Sequence, residues 1–405
     1  MRVFYLDPGL HDPVGHHANY CRYIVGELRG RGVETLAFGH RGLPSALQTE
    51  LGVSAHFRVY TYTNNDDDPF CPWLTGFDTL SRTTREDLDR LPAVEPPDLV
   101  FATSVRPVQV SALIEWRRAL PLHRRPTIVV ETVNTGLEVR RTANGFAVTV
   151  PDPRSDPRAV LFRLLARRLP REAGARFYFA TFGSVPSELF GTLLQFPVRT
   201  LPSPFRALGP LRNRAGARPV TVAILGHQRP LKGYDLLPEI VRELLRARQD
   251  IRLLVQNVAS PEAATTQRTL RDAAASSDRV MIDEAPAGEA RWRQLLEMSD
   301  LALCPYRPEA YAAGFSAVLN EVVANGIPAV VPAGTTLESL LEECGGPGTS
   351  FKRFDAASIV AATSRALDRF DHFATLGYTA ALHWPETRGP ARLVDELLAL
   401  AATTP

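Results

Sequence analysis

The stretch "VTVAILGHQRPLKGYDLLPEIVRELLRAR" (220–248) decides the fold. Its first seven residues are almost continuously apolar, which predicts a short strand buried on both faces. From Asp235 to Arg248, Leu, Ile and Val recur at helical spacing, and Pro238 falls early, where its missing N–H is tolerated. A glycine-bounded loop, Gly226 to Gly233, lies between them. Strand, loop and helix in that order form one unit of a parallel α/β layer covered by helices on both faces.

The same alternation extends in both directions. After the quoted stretch, "IRLLVQN" (251–257), "RVMIDEA" (279–285), "LALCPY" (301–306) and "IPAVVP" (327–332) read as strands, and "EARWRQLLEM" (289–298) has helical periodicity. Before it, "RVFYLD" (2–7), "VETLAFG" (33–39), "PPDLVFATSV" (96–105), "RPTIVVETV" (125–133) and "ARFYFATF" (175–182) read as strands. Helical patterns such as "ANYCRYIVGELRGRG" (18–32) and "VQVSALIEWRRAL" separate them. The segment "LPSPFRALGPLRNRAGARP" (201–219) is rich in Pro, Gly and Arg, lacks periodicity and reads as a linker. At 405 residues the chain exceeds one ordinary core. Two Rossmann-like domains are expected, 1–205 and 206–384. A last helix follows a break at Trp384–Pro385, and 385–405 is left open to pack back on the first domain.

Composition narrows the function. A formal net charge of +2 gives no argument for nucleic acid. The four cysteines, Cys21, Cys71, Cys304 and Cys344, are widely spaced without a CxxC pair. That disfavours a structural zinc or a disulfide framework and fits a reducing cytoplasm. The start "MRVFYLDPGLHDP" lacks the apolar core of a signal peptide, and no apolar run is long enough to span a membrane.

In parallel α/β layers, ligands sit where strand ends lead into helix N-termini, whose unpaired N–H groups attract phosphate. Three loops occupy such positions. "LDPGLHDPVGHHANY" carries Gly9, Gly15, His16 and His17 but not the GxGxxG spacing of a dinucleotide site. The opening loop carries Arg229 and Lys232. Of 46 basic residues only Lys232 and Lys352 are lysine, and a compact ammonium suits a tight anion pocket that a guanidinium fork does not. "CPYRPEAYAAGFSAVLNEVVANGIPAVVP" (304–332) offers Gly314, Ser316 as an N-cap, and Glu321 on the following helix. Glu321 suits a ribose hydroxyl pair; a solvent-facing helix glutamate is its plainer reading.

The two halves, the "G-x5-KG" loop and the "PY…Y…FS…E…G-P-V" segment resemble the retaining nucleotide-sugar glycosyltransferases of family 4. That resemblance implies the GT-B fold, two Rossmann-like domains facing each other across a cleft. It implies a nucleotide-diphospho-sugar donor on the C-terminal domain and a glycan, lipid-linked or small-molecule acceptor mostly on the N-terminal one. It implies front-face substitution with retention. No metal and no cofactor are needed if Lys232 and Arg229 supply the positive charge. The candidate catalytic residues are Arg229, Lys232 and His16. The candidate donor-binding residues are Gly15, Gly226, His227, Gly314, Phe315, Ser316 and Glu321; His17, Asn134 and Tyr311 are candidates for acceptor or sugar contact.

The chain departs from that pattern at three places. Ala313 stands where the family has the first Glu of Glu-x7-Glu, His227 where an Arg often follows the glycine, and Asn134 where a His ends "TVH". These departures support an alternative, a catalytically silent protein of the same fold that binds a nucleotide-sugar or glycan. A sugar-nucleotide epimerase would need acid/base groups that the sequence does not assemble. "NNDDDPF" (64–70) holds a nominal DxD, read as a solvated loop and not a metal motif. The Arg-rich amphipathic stretch 158–176 is read as a domain helix with its apolar side in the core. It leaves open a peripheral contact with the inner membrane face.

Overall fold

The computed structural model describes every residue except 14, 64–71, 133–134, 143–144, 155, 170–175, 260–262 and 403–405. Fifteen strands are present among the described residues. β1 (Arg2–Asp7), β2 (Glu34–His40), β3 (Val53–Phe57), β4 (Leu99–Ala102) and β5 (Thr127–Glu131) join β8 (Phe177–Phe182) and β9 (Val198–Leu201) in one sheet. Between these in sequence, β6 (Glu138–Thr142) and β7 (Gly145–Thr149) form a separate two-stranded ribbon. β10 (Val220–Ile224), β11 (Ile251–Gln256), β12 (Val280–Asp283), β13 (Leu301–Leu303), β14 (Ala329–Pro332) and β15 (Gly348–Phe351) form the third sheet.

Both large sheets are parallel and wound from the middle outward. The first has the order β3-β2-β1-β4-β5-β8-β9, the other β12-β11-β10-β13-β14-β15. Leu6 of β1 lies opposite Phe38 and Ala102, and Val222 of β10 opposite Leu253 and Leu301. β4 and β5 are buried along their whole length, which is why they read as continuous apolar runs. The strand order reverses between β1 and β4, and again between β10 and β13. At such a switch point the loops leaving adjacent strands diverge and open a crevice at the carboxyl ends.

The chain divides into two compact units, 1–139 with 146–204 and 388–405, and 140–145 with 205–387. Phe4, Trp116, Phe162, Phe179 and Phe190 fill the core of the first unit. In the second, Ile240, Leu244 and Ile359 belong to one cluster, and Leu319, Val322 and Trp384 to another. The helix Arg158–Arg167 buries Ala159, Phe162, Leu165 and Ala166, while Leu164 is exposed. The last helix, Pro390–Ala402, belongs to the first unit. Arg31 donates to Ala391 O at 3.0 Å and pairs with Asp395, and Gly389 N donates to Ser203 O at 2.7 Å.

One local expectation needs correction. No helix break falls at Trp384–Pro385, because the helix Phe370–Thr387 runs through Pro385. The proline sits in its last turn, and buried Trp384 anchors that turn by donating from Nε1 to Phe205 O at 2.8 Å. The linker segment 201–219, within which the unit boundary falls, is firmly held. Arg214 is buried and donates to Ser299 O (2.8 Å), Asn325 O (2.9 Å) and Leu296 O (3.3 Å). Burial pushes its guanidinium down to about 10. Arg214→Ala should therefore destabilise the protein by about 3 kcal/mol, because it orphans several buried carbonyls. Arg212→Ala, at an exposed position, should cost under about 0.5 kcal/mol. Equal urea midpoints for the two variants would refute the anchoring role.

Candidate active site

The switch point of the second unit carries the opening loop. Gly226 follows β10 with φ 107°, and its N–H donates to Gln256 Oε1 at 2.7 Å. Gln228 is buried and donates to Gly226 O and Gln256 O, both at 2.7 Å. His227 and Arg229 are exposed. A single tight turn, Pro230–Lys232, ends at Gly233 with φ 70°, and a second, Tyr234–Leu236, leads into the helix Leu237–Ala247. A Cβ on Gly233 would lie 1.8 Å from Pro305 O, so this loop is pressed against the one leaving β13. Arg307 fastens the two together. Its Nε donates to Pro230 O at 3.0 Å, its Nη2 to Asp235 at 2.7 Å, and its backbone N–H to Leu231 O at 3.0 Å.

Lys232 is half-buried inside this construction. Its Nζ lies 5.2 Å from the Tyr306 ring centroid and would be 2.8 Å from a Cβ on Gly226. Burial pushes the ammonium down to about 8; the like charge of Arg229 adds to this and the Cys304 thiol opposes it. Among the described residues no carboxylate forms an ion pair with it. The Tyr306 hydroxyl is buried, and the Tyr311 ring lies 4.7 Å from the Tyr306 ring. A half-buried cation without a carboxylate partner among the described residues is suited to receive an anion.

The helix Ala317–Ala324 begins at this point, since Val318 would lie 3.2 Å from a Cβ on Gly226. Ser316 is its N-cap, with Oγ accepting from Leu319 N at 3.2 Å. Gly314 leaves no room for a side chain, because a Cβ would sit 2.6 Å from Ala310 O. Thr336 donates to Gly314 O and to Tyr311 O. Phe315 stacks on Phe205 at 6.1 Å. Glu321 is buried, so the solvent-facing reading of it is overturned.

In the first unit the β1 loop holds a different kind of chemistry. His17 Nδ1 donates to buried Asp7 at 2.8 Å, and its Nε2 accepts from the Tyr62 hydroxyl at 3.1 Å. Asp7 also accepts from Gly9 N at 3.0 Å and from the Tyr5 hydroxyl at 3.3 Å. The His17 ring fills the place where a Gly9 side chain would be, 2.2 Å from that Cβ position. His16 packs at 4.2 Å from the His17 ring, and Gly15 has φ 88° at the helix mouth. Glu131, at the end of β5, is buried and accepts from Thr103 Oγ1 and Ser104 N, both at 2.8 Å. Burial pushes its carboxyl up to about 7.

The candidate residues thus form two sets. Gly226, Lys232, Tyr311, Gly314, Phe315, Ser316 and Glu321 belong to the second unit with His227 and Arg229, while Gly15, His16 and His17 belong to the first. Asn134 and the DxD stretch lie outside the described residues. Asp7, Tyr62, Glu131, Gln256 and Arg307 were missed as site residues. Asp7 alone left a trace, as an acid ending a buried strand just before a glycine loop.

Comparison with known proteins follows the same lines. Sucrose-phosphate synthase from Thermosynechococcus elongatus matches over 99% of this chain and 98% of its own, with TM-score 0.66 and 14% identity. HepE of Anabaena, solved in complex with UDP, matches over 98% and 99%, with TM-score 0.59 and 16% identity. The trehalose-6-phosphate synthase OtsA matches over 100% of both chains, with TM-score 0.65 and 13% identity. At these identities the likeness establishes the fold, GT-B. Among curated protein sequences none matches significantly. A family model, Family 4 Glycosyltransferase in conflict systems, matches residues 188–403, more than half of the chain. The chain belongs to that family, and it is a glycosyltransferase enzyme.

Proposed function

We propose that this enzyme transfers a sugar from a nucleotide-diphospho-sugar to a hydroxyl of a glycan, lipid-linked or small-molecule acceptor, with retention and without a metal. The observation that carries the donor reading is Lys232, a half-buried ammonium with no carboxylate partner among the described residues, at the switch point of the second unit. As the sugar–phosphate bond breaks, negative charge collects on the departing diphosphate. Lys232, Arg229 and the capped N-terminus of the Ala317–Ala324 helix stabilise it electrostatically. Buried Glu321 suits the ribose hydroxyls. HepE, a structural neighbour solved with UDP and again with UDP and glucose, supports uracil as the first base to test. A cytoplasmic location is in keeping with the three described cysteines, which are all unbridged. No helix among the described residues is long and apolar enough to cross a membrane, so any membrane contact is proposed as peripheral.

A thermal-shift series with UDP, GDP and ADP tests the donor reading. At 100 times its Kd, the cognate nucleotide should stabilise the protein by about 2.7 kcal/mol. No shift with any of the three, up to millimolar concentration, would refute it.

A further inference from the structure

The amino end of the first sheet, away from the candidate site residues, carries a charged cavity within the first unit. Two helices end there. Pro107–Ala119 finishes with Arg117 and Arg118 in its last turn, and Arg158–Arg167 is followed by Arg168. A cavity of about 340 Å³ is rimmed by Arg117, Arg118, Arg125 and Arg168 over buried Leu169 and Phe177, the first residue of β8. Some of these donors serve the fold. Arg118 donates to Arg168 O, and Arg125 donates to Leu120 O at 3.0 Å and to Arg118 O at 2.9 Å, as arginines at helix C-termini do. A guanidinium has five N–H groups, so others remain for a ligand. Among the described residues, Glu115, 3.1 Å from Arg168, is the carboxylate that pairs with Arg118, Arg125 or Arg168. Burial, with the charges of Arg125 and Arg176, pushes the Arg117 guanidinium down to about 10, so cations crowd at this end.

The same elements turn leucine to solvent. Leu122, in the turn Leu122–Arg124, is 79% exposed, and Leu164 is 51% exposed. Leu164 shares a helix face with exposed Arg167 and Arg168, three and four residues on, and with half-buried Val160 and Leu161. The opposite face, Ala159, Phe162, Leu165 and Ala166, is in the core. Capping a helix requires no apolar outward face. Apolar side chains set among arginines on a surface are the pattern of a protein that rests on an anionic bilayer.

We propose that this end of the first unit docks on an anionic phospholipid surface, where the arginine-rimmed cavity takes a lipid phosphate and Leu122 and Leu164 enter the acyl boundary beside it. A phosphate presents several acceptor oxygens, which the guanidinium fork meets two at a time. Arg118 and Arg168, exposed at the rim, make the outermost headgroup contacts. The contact is peripheral. It does not depend on which donor or acceptor the enzyme uses.

The test is co-sedimentation of the full chain with vesicles of phosphatidylglycerol and phosphatidylcholine in about equal parts, and with vesicles of phosphatidylcholine alone. Wild type should pellet with the first and stay in solution with the second, and its binding should weaken as salt is raised. Arg118→Gln combined with Arg168→Gln should weaken binding about 25-fold, about fivefold for each arginine. Leu122→Ser combined with Leu164→Ser changes no charge and should weaken it about tenfold or more. All four side chains are exposed, so both variants should keep the wild-type Tm. Equal pelleting with the two kinds of vesicle, or none with either, overturns the proposal. Folded serine variants that bind like wild type also overturn it, because charge alone then explains the attraction. A thermal shift with inorganic phosphate that the arginine variant lacks, in a wild type that does not pellet with vesicles, assigns the cavity to a soluble phosphate and overturns the membrane contact.

Discussion

Lys232→Ala is expected to weaken nucleoside-diphosphate binding about 30- to 150-fold, about 2–3 kcal/mol for one charge-assisted contact. The loss is large because the ammonium is already partly desolvated in the free protein. Burial holds it near 8, so little further hydration is lost when an anion arrives. The same fact fixes a pH dependence. A bound diphosphate favours the charged ammonium and raises its pKa, so binding takes up a proton wherever the free group is neutral. Affinity is therefore constant below about 8 and falls about tenfold per pH unit above it, until the pKa of the complex is reached. Calorimetry across that window should show the decline in wild type and its absence in Lys232→Ala. Lys232→Arg should not restore affinity, because a planar fork does not fit the space between Gly226 and Tyr306. A folded Lys232→Ala protein with unchanged affinity would place the lysine outside the donor site.

Gly233→Ala is the second large effect, and it acts through the backbone. The residue has φ 70°, and its new methyl would lie 1.8 Å from Pro305 O, which is main chain and cannot turn aside. The two loops must part, and the Arg307 contacts to Pro230 O and Asp235 go with them. A cost of about 3 kcal/mol or more is expected, which lowers Tm by roughly 6–12 °C for a unit of this size. Diphosphate binding should fall even below the new Tm, since Lys232 is the preceding residue. A Gly233→Ala protein with wild-type Tm would show that these loops are not rigidly joined.

The interior of each sheet was legible because β1, β4, β5, β10 and β11 are buried nearly throughout and so are written as apolar runs. The edges were not. β3 ("VSAHF"), β9 and β15 are short, half-exposed and carry Ser, His, Arg, Thr or Gly, so neither period nor apolar density marks them. The same asymmetry holds for the sites. Lys232 stood out because almost every other cation is arginine, and Ser316 because a cap precedes an apolar helix. The Asp7–His17–Tyr62 chain joins residues up to 55 positions apart, brought together by the return of the chain after β3. Glu321 looked like a surface acid because one helix of Ala, Val and Leu gives no solvent face to compare it with. Its burial depends on packing from other segments.

The most direct test is release of nucleoside diphosphate from a panel of UDP-, GDP- and ADP-sugars, with and without cell-envelope lipid extract, by wild type and Lys232→Ala side by side. The expected result is release from at least one donor by wild type and a loss of at least tenfold in the variant at subsaturating donor. Release from no donor, or equal release by both proteins, would contradict a donor site built around Lys232.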